Sequence, residues 1–290
     1  MKCLGSCSEV LCYILGCELR NRPCEKTTMP TINDACQFLD ELAPTRLAED
    51  WDNVGLLVGD RNDSLKKVMT CLTVTPDSAA EAIDRGCQLI VSHHPVLFRA
   101  TKRITTDATP TRLLWDLIRA GVAIYSPHTG FDSAAGGINQ SLCEKLGLKD
   151  ISPLVPIPDD PDSLGAGRIG SLGETTLREF VELAKKQFGL DGLHIVGDMD
   201  QKISKVASAC GSGGSFLGKA VARGCDCFVT GESTFHTCLE AESHGVSLVL
   251  LGHYASERFA VEMLAKKIDE KFPDLEVWAS EKEADPLQWV

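Results

Sequence analysis

Imidazoles and carboxylates recur at four points of this 290-residue chain in spacings that suit metal binding. His93 and His94 stand side by side at the end of an apolar run, LIVSHHPVLF. His128 precedes Asp132 in SPHTGFDS, His253 precedes Glu257 in GHYASE, and Glu232 lies in TGES. If a helix begins after His253, its ring and the Glu257 carboxylate lie one turn apart on one face. Mixed imidazole and carboxylate donors suit zinc, manganese, iron, cobalt or nickel. One metal takes about four ligands. Six candidates (His93, His94, His128, Asp132, His253 and Glu257) match two divalent metal ions bridged by a carboxylate and a water better. Each residue also has a plainer reading. A histidine after a strand is commonly a surface or capping residue, Asp132 could cap a turn, and Glu257 could sit on a solvated helix start. What favours the metal reading is that all fall at loop ends of the same kind.

Those loop ends are set by the elements around them. From residue 31 on, strand and helix patterns alternate. KKVMTCLTV (66–74) reads as a buried strand. TPDSAAEAIDRG (75–86) reads as a helix with Thr75 as N-cap, Pro76 in its first turn and Gly86 as its stop. CQLIVS (87–92), VAIYS (122–126), ISKVASAC (203–210), CDCFVT (225–230) and VSLVLLG (246–252) read as further strands, and LEVWAS (275–280) as the last. Helices are expected at 109–121, 175–189, 214–224, 234–245 and 257–272. Such alternation implies βαβ units and mixed, largely parallel sheets, with functional groups at the carboxyl ends of the strands.

Residues 67–94 also align without gaps on 205–232. Lys67, Val68, Ala82, Arg85, Gly86, Cys87 and Val91 meet Lys205, Val206, Ala220, Arg223, Gly224, Cys225 and Val229. The expected architecture is α/β, with two similar lobes from an internal duplication (29–150 and 151–290) and the metal site between them. The stretch rich in Pro, Gly and Asp at 153–173 is read as the boundary loop, ending in a short strand. CGSGGSFLG (210–218) is a glycine-rich turn without GxGxxG or the P-loop lysine. Backbone N–H groups at Gly211, Ser212 and Gly213 could hold an anion, and a simple tight turn is the competing reading. His236 and His244 fall inside a helix and are expected at the surface, and His194 is expected to face solvent from a strand.

The net charge of −12 and the lack of any Lys or Arg run argue against nucleic-acid binding. No apolar stretch reaches the ~18 residues of a membrane helix. There are thirteen cysteines but no CxxC pair; most lie in apolar patterns, where Cys behaves as a small hydrophobe. A reduced, cytoplasmic protein is expected. The first 28 residues differ from the rest. They carry Cys3, Cys7, Cys12, Cys17 and Cys24, and the core is expected to begin near Met29, with 1–28 a disordered extension or an upstream start.

Taken in order, WDNVGLLVGD (51–60), SHHP (92–95), SPHTGFD (126–132), GSGG (211–214) and GHYASE (252–257) resemble the signature set of the Nif-three-like proteins, often labelled GTP cyclohydrolase 1 type 2 homologues. The resemblance runs from Met29 to Val290. It implies two α/β lobes around a dinuclear metal centre and a toroidal homohexamer with the sites facing the inner cavity. It also implies His93, His94, Asp132, His253 and Glu257 as ligands, with Glu257 as the bridge and His128 beside the site. The Cys-rich leader departs from that pattern. The activity expected is that of a metal-dependent hydrolase attacking a small, nucleotide-like substrate through a metal-bound water, with His128 shuttling protons. GTP opened at C8 and a phosphoester are the two enzymatic choices. A metal-binding regulatory or interaction protein without turnover is the alternative of another class.

Overall fold

The computed structural model describes residues 29–288. Two sheets and the helices around them form the body. β1 (Gly55–Val58), β2 (Lys67–Cys71), β3 (Leu89–Ser92) and β4 (Ala123–Ser126) belong to the first sheet. The second holds β5 (Lys149–Ser152), β8 (Arg168–Thr176), β9 (His194–Val196), β10 (Lys202–Ala209), β11 (Cys227–Thr230) and β12 (Ser247–Leu250). Between β5 and β8, a small hairpin of β6 (Val155–Pro156) and β7 (Gly165–Ala166) occupies most of the stretch expected to be loop. The short strand expected at its end is β8, nine residues long and a central member of the second sheet. The last strand, β13 (Glu276–Ala279), crosses back to pair in parallel with β2 in the first sheet.

Both sheets are mixed, and the first is largely parallel. β13, β2, β3 and β4 run parallel, with β1 antiparallel on the edge. In the second sheet β10, β11 and β12 run parallel, while β8 pairs antiparallel with both β10 and β5, and β9 pairs antiparallel with β12. The segments 67–94 and 205–232 each contain a parallel strand pair, β2/β3 and β10/β11.

The helices are α1 (Ile32–Leu42), α2 (Pro76–Asp84), α3 (Thr109–Arg119), α4 (His128–Ser133), α5 (Ile138–Lys145), α6 (Leu177–Phe188), α7 (Leu217–Ala222), α8 (Phe235–His244), α9 (His253–Glu257) and α10 (Phe259–Lys271). Their starts reflect local chemistry. Thr31, Thr75 and Thr176 each accept the N3 backbone N–H while the N3 side chain returns a bond to the cap, which satisfies donors a helix leaves orphaned. No described helix is long and apolar enough to cross a membrane. The eight cysteines of the described region are free, and all but Cys238 are buried.

Two buried charges tie distant parts together. Arg168, 1% exposed, donates to the carbonyls of Ser133, Ala134, Gly165 and Gly167, each at 2.8 Å. This fixes the turn after α4 to the second sheet. Glu81 on α2 accepts from Trp278 Nε1 (3.0 Å), Ser280 Oγ (2.7 Å) and the backbone N–H groups of Glu281 and Lys282. It thereby clamps the chain just beyond β13. Burial pushes the Glu81 carboxyl up, but these donors outweigh it and hold it below its ordinary value of 4.5.

A depressed folded-state pKa adds stability above the unfolded value, and that stability is lost as pH falls through the folded value. Glu81→Gln should therefore cost about 2 kcal/mol near pH 7, the worth of hydrogen bonds to a charged group. The gap from wild type in urea unfolding should shrink below about pH 4. A gap that stays constant across that range would refute this account of the clamp.

Candidate metal centre

The sequence sites converge. His93 and His94 leave the carboxyl end of β3, His128 opens α4 just beyond β4, and His253 opens α9 just beyond β12. Gly252, at φ +93°, makes the turn that directs His253 inward. Because α9 is helical from His253 to Glu257, the two side chains share a face, and His253 Nε2 lies 3.0 Å from Glu257 Oε2.

Glu257 is 3% exposed and sits among the imidazoles. Its Oε2 is 3.1 Å from His94 Nε2, and its Oε1 is 4.0 Å from His93 Nε2. The Nε2 atoms of His94 and His253 face one another at 3.3 Å. His93 Nε2 is 3.6 Å from Asp132 Oδ1. Donor atoms of His94, His253 and Glu257 lie within 4.8 Å of one another, and so do those of His93, His94 and His128. His94 belongs to both groups.

The charges are arranged in opposition. Burial raises Glu257, but bonds with His253 and His94 prevail and hold it well below the usual carboxylate range. Burial, reinforced by the Glu257 charge, pushes Asp132 up to about 7. Burial drives His93 well below its ordinary value, so its ring is neutral. Its hydrogen bond with Glu257 lifts His253 to about 9 against burial.

These residues fit a metal. Both ring nitrogens of His93 are buried without a hydrogen-bond partner, and buried polar atoms of this kind rarely go unpaired. Neighbouring groups hold the other rings for ligation. Thr73 Oγ1 lies 2.7 Å from His94 Nδ1, which leaves Nε2 to face Glu257. Glu232 Oε1 lies 3.0 Å from His253 Nδ1. Metal-binding histidines are oriented through their second nitrogen in this way.

His128 sits at φ +27°, in the left-handed region that few non-glycine residues occupy. Its Nδ1 is 2.7 Å from Asp52 Oδ1, and Thr129 N donates to Asp52 Oδ2 at 3.2 Å. Burial opposes ionisation of Asp52, yet the bonds from His128 and Thr129 bring it down to about 2. Burial lowers His128, and the Asp52 contact more than reverses this, so its pKa is raised.

The glycine-rich turn packs directly against the centre. Gly211 N donates to Ser256 Oγ and Gly213 N to Thr230 Oγ1, both at 3.0 Å, and the Ser212 hydroxyl donates to Glu232. These two amides are spent inside the protein. Gly211, at φ +58°, leaves room for Glu257: a Cβ there would lie 2.2 Å from Glu257 Oε1. Ser212 and Gly213 still line the cavity of about 490 Å³ that opens on the centre. Cys210 lines it too, with Sγ 3.2 Å from Asp132 Oδ1.

His236, His244 and His194 are exposed, as expected. The cysteines at positions 3 to 24 lie outside the described residues. Sequence reasoning assigned no role to Asp52, Thr73 or Glu283. Asp52 stands in the WDNVGL motif, a usable signal. Glu283, beyond β13, accepts from Leu72 N (2.8 Å) and Thr73 N (2.6 Å) and so steadies the residue that orients His94. Nothing in its spacing announces this.

A model of the family described as Duf34/NIF3 (NGG1p interacting factor 3) matches residues 30–286. A Clostridium perfringens protein named GTP cyclohydrolase 1 type 2 homolog is 35% identical over 261 residues, covering 89% of this chain and 99% of the relative. The Schizosaccharomyces pombe protein NIF3 homolog is 35% identical over 267 residues, covering 87% and 95%. Among solved structures, a Bacillus cereus protein related to NIF3 superposes with a TM-score of 0.83 at 25% identity, covering 91% of this chain and all of the other.

Thr73→Val should weaken Mn²⁺ or Zn²⁺ binding by about 10- to 100-fold in calorimetric titration, and Thr73→Ser should restore it. Unchanged affinity in the valine variant would show that Thr73 does not orient His94.

Proposed function

The chain belongs to the Duf34/NIF3 family, and on that premise we propose that it is a dinuclear metal-dependent hydrolase acting on a small nucleotide-type substrate. The observation that carries this reading is the meeting of His94 with His253 and Glu257, from two sheets, at the wall of one cavity, with His93 buried behind them. In this reading His93, His94, Asp132, His253 and Glu257 hold two divalent ions. The two oxygens of Glu257 face different imidazoles, His93 on one side and His94 with His253 on the other, which suits a bridge. Such ions supply Lewis acidity towards the substrate and lower the pKa of a water.

The protein's own groups do the rest. Asp52 fixes His128 through Nδ1 and leaves Nε2 to accept or return a proton at the reacting atoms. Thr73 and Glu232 keep the rings of His94 and His253 in place. The cavity wall of Ser212, Gly213 and Cys210 bounds the space left for substrate. The name borne by the Clostridium perfringens relative supports GTP as the first substrate to try, and a phosphoester as the second. The resemblance to the family supports assembly as a homohexamer.

The purified chain, loaded with Mn²⁺, Zn²⁺ or Fe²⁺, should turn over GTP or a member of a phosphoester panel. His93→Ala/His94→Ala should lower the rate by about 1,000-fold, as expected when several kcal/mol of Lewis-acid stabilisation is lost. Circular dichroism should show the fold retained. His128→Gln should cost about 100-fold or more with metal content unchanged. If wild type and the double variant are equally inactive across the panel, the hydrolase reading falls and a metal-binding interaction protein takes its place.

A further inference from the structure

Two large aromatic side chains stand exposed at the rim of the metal-centre cavity. Trp51 is 60% exposed and Phe98 50%, and both line the cavity together with His94, His128 and Glu257. Their ring centroids are 5.9 Å apart with planes at 75°, and each ring lies 6.2 Å from that of His128. Single exposed aromatics are ordinary on protein surfaces. This pair differs because it is fixed in place. Asn53 Nδ2 donates to the Leu97 carbonyl at 2.8 Å, tying the segment that carries Trp51 to the one that carries Phe98. Asp52, between Trp51 and Asn53, holds His128. Three consecutive residues thus supply a rim ring, the anchor of a site histidine, and the bond to the other rim segment.

The chemistry beside the pair is also specific. Arg99, Lys102 and Arg103 come directly after Phe98 and are all exposed, in a chain whose net charge is −12. Glu49 and Asp50 precede Trp51 on the other rim segment, so the anionic group of a ligand is favoured on the Phe98 side. Two aromatic faces nearly at right angles offer a flat ring one face to lie on and one edge to meet.

We propose that Trp51 and Phe98 form a recognition platform for a planar nitrogen-heteroaromatic ring carrying an anionic group, and that they select which substrates reach the centre. This names the part of the substrate that the rim reads, and it rests on the hydrolase reading only for the chemical step after binding. The platform binds its ring whether or not turnover occurs.

The test compares guanosine monophosphate with ribose 5-phosphate, which carries the same phosphate without the ring. Both are titrated calorimetrically into the full-length chain, with and without EDTA. Wild type should bind the nucleotide at least 10-fold more tightly than the sugar phosphate. Trp51→Ala should weaken nucleotide binding by 10- to 100-fold, the usual range for loss of a base–aromatic stack, and should leave sugar phosphate binding and metal content unchanged. Trp51→Phe should retain most of the affinity, and Phe98→Ala should behave like Trp51→Ala. Equal wild-type affinity for the two probes, no nucleotide binding, or equal losses for both probes in Trp51→Ala would overturn the proposal. So would sedimentation showing that Trp51→Ala and Phe98→Ala dissociate a wild-type oligomer, which would make the pair a contact between copies. Selective ring binding without turnover on any substrate would uphold the platform and remove the hydrolase reading instead.

Discussion

A carboxylate 3% exposed, shared by imidazoles from two sheets, is the interaction on which the rest of this structure turns. Burying an ionised carboxylate is costly unless it is paired and hydrogen-bonded. Glu257 meets that requirement only because His94 arrives from β3 while His253 stands on its own helix. Neither sheet alone could satisfy it. A second carboxyl, Asp132, lies across His93, and burial together with the Glu257 charge pushes it up to about 7. One acid keeps its charge and its neighbour is driven towards giving it up. A cation among them would relieve both conditions, which is the electrostatic argument for a metal centre independent of any family likeness.

Much of the remaining architecture serves to hold that meeting point. The last described stretch of chain does more than close the first sheet. β13 runs beside β2, Glu81 grips the residues after it, and Glu283 accepts from Leu72 N and Thr73 N. Tyr254 donates its hydroxyl to the Glu283 carbonyl at 3.2 Å, and Arg258 donates to the Ser280 carbonyl at 2.8 Å. The same few residues therefore brace Thr73 beneath His94 and the helical segment that carries His253 and Glu257. Arg168 does comparable work on the other flank by fixing the turn just after Asp132. Side chains brought to one site from separate elements need such cross-ties, because small displacements are enough to spoil a site.

The sequence made the clustered residues readable because their signals are local. Paired histidines after an apolar run, and a histidine four residues before a glutamate, are direct consequences of strand ends and helical spacing. Thr75 marked a helix start by the same kind of short-range chemistry. What stayed hidden depends on contacts remote in sequence. Asp52 reaches His128 across 76 positions, and Glu283 reaches Thr73 across 210. The return of β13 to the first sheet is equally non-local. No periodicity encodes it, because a parallel strand reads the same wherever it is placed. The glycine-rich turn left two readings open for a related reason. Its composition is compatible with anion binding, and only the position of Glu257 shows that Gly211 is required to make space.

The paired histidines gain a sharper meaning from the positions aligned with them. Where His93 and His94 leave β3, the corresponding exit from β11 carries Gly231 and Glu232. A Cβ at Gly231 would lie 2.6 Å from Ser256 Oγ and 2.7 Å from the Gly211 carbonyl, so no side chain fits there. Glu232 is half exposed and steadies His253 through Nδ1 rather than entering the centre. One strand exit thus supplies donors while its counterpart supplies a buttress. The His93 and His94 rings lie 5.1 Å apart and tilted by 51°, and they divide the work. His93 faces Asp132, while His94 faces His253. With Glu257 within reach of both rings, two adjacent residues address two neighbouring donor groups, which a single histidine at this exit could not do.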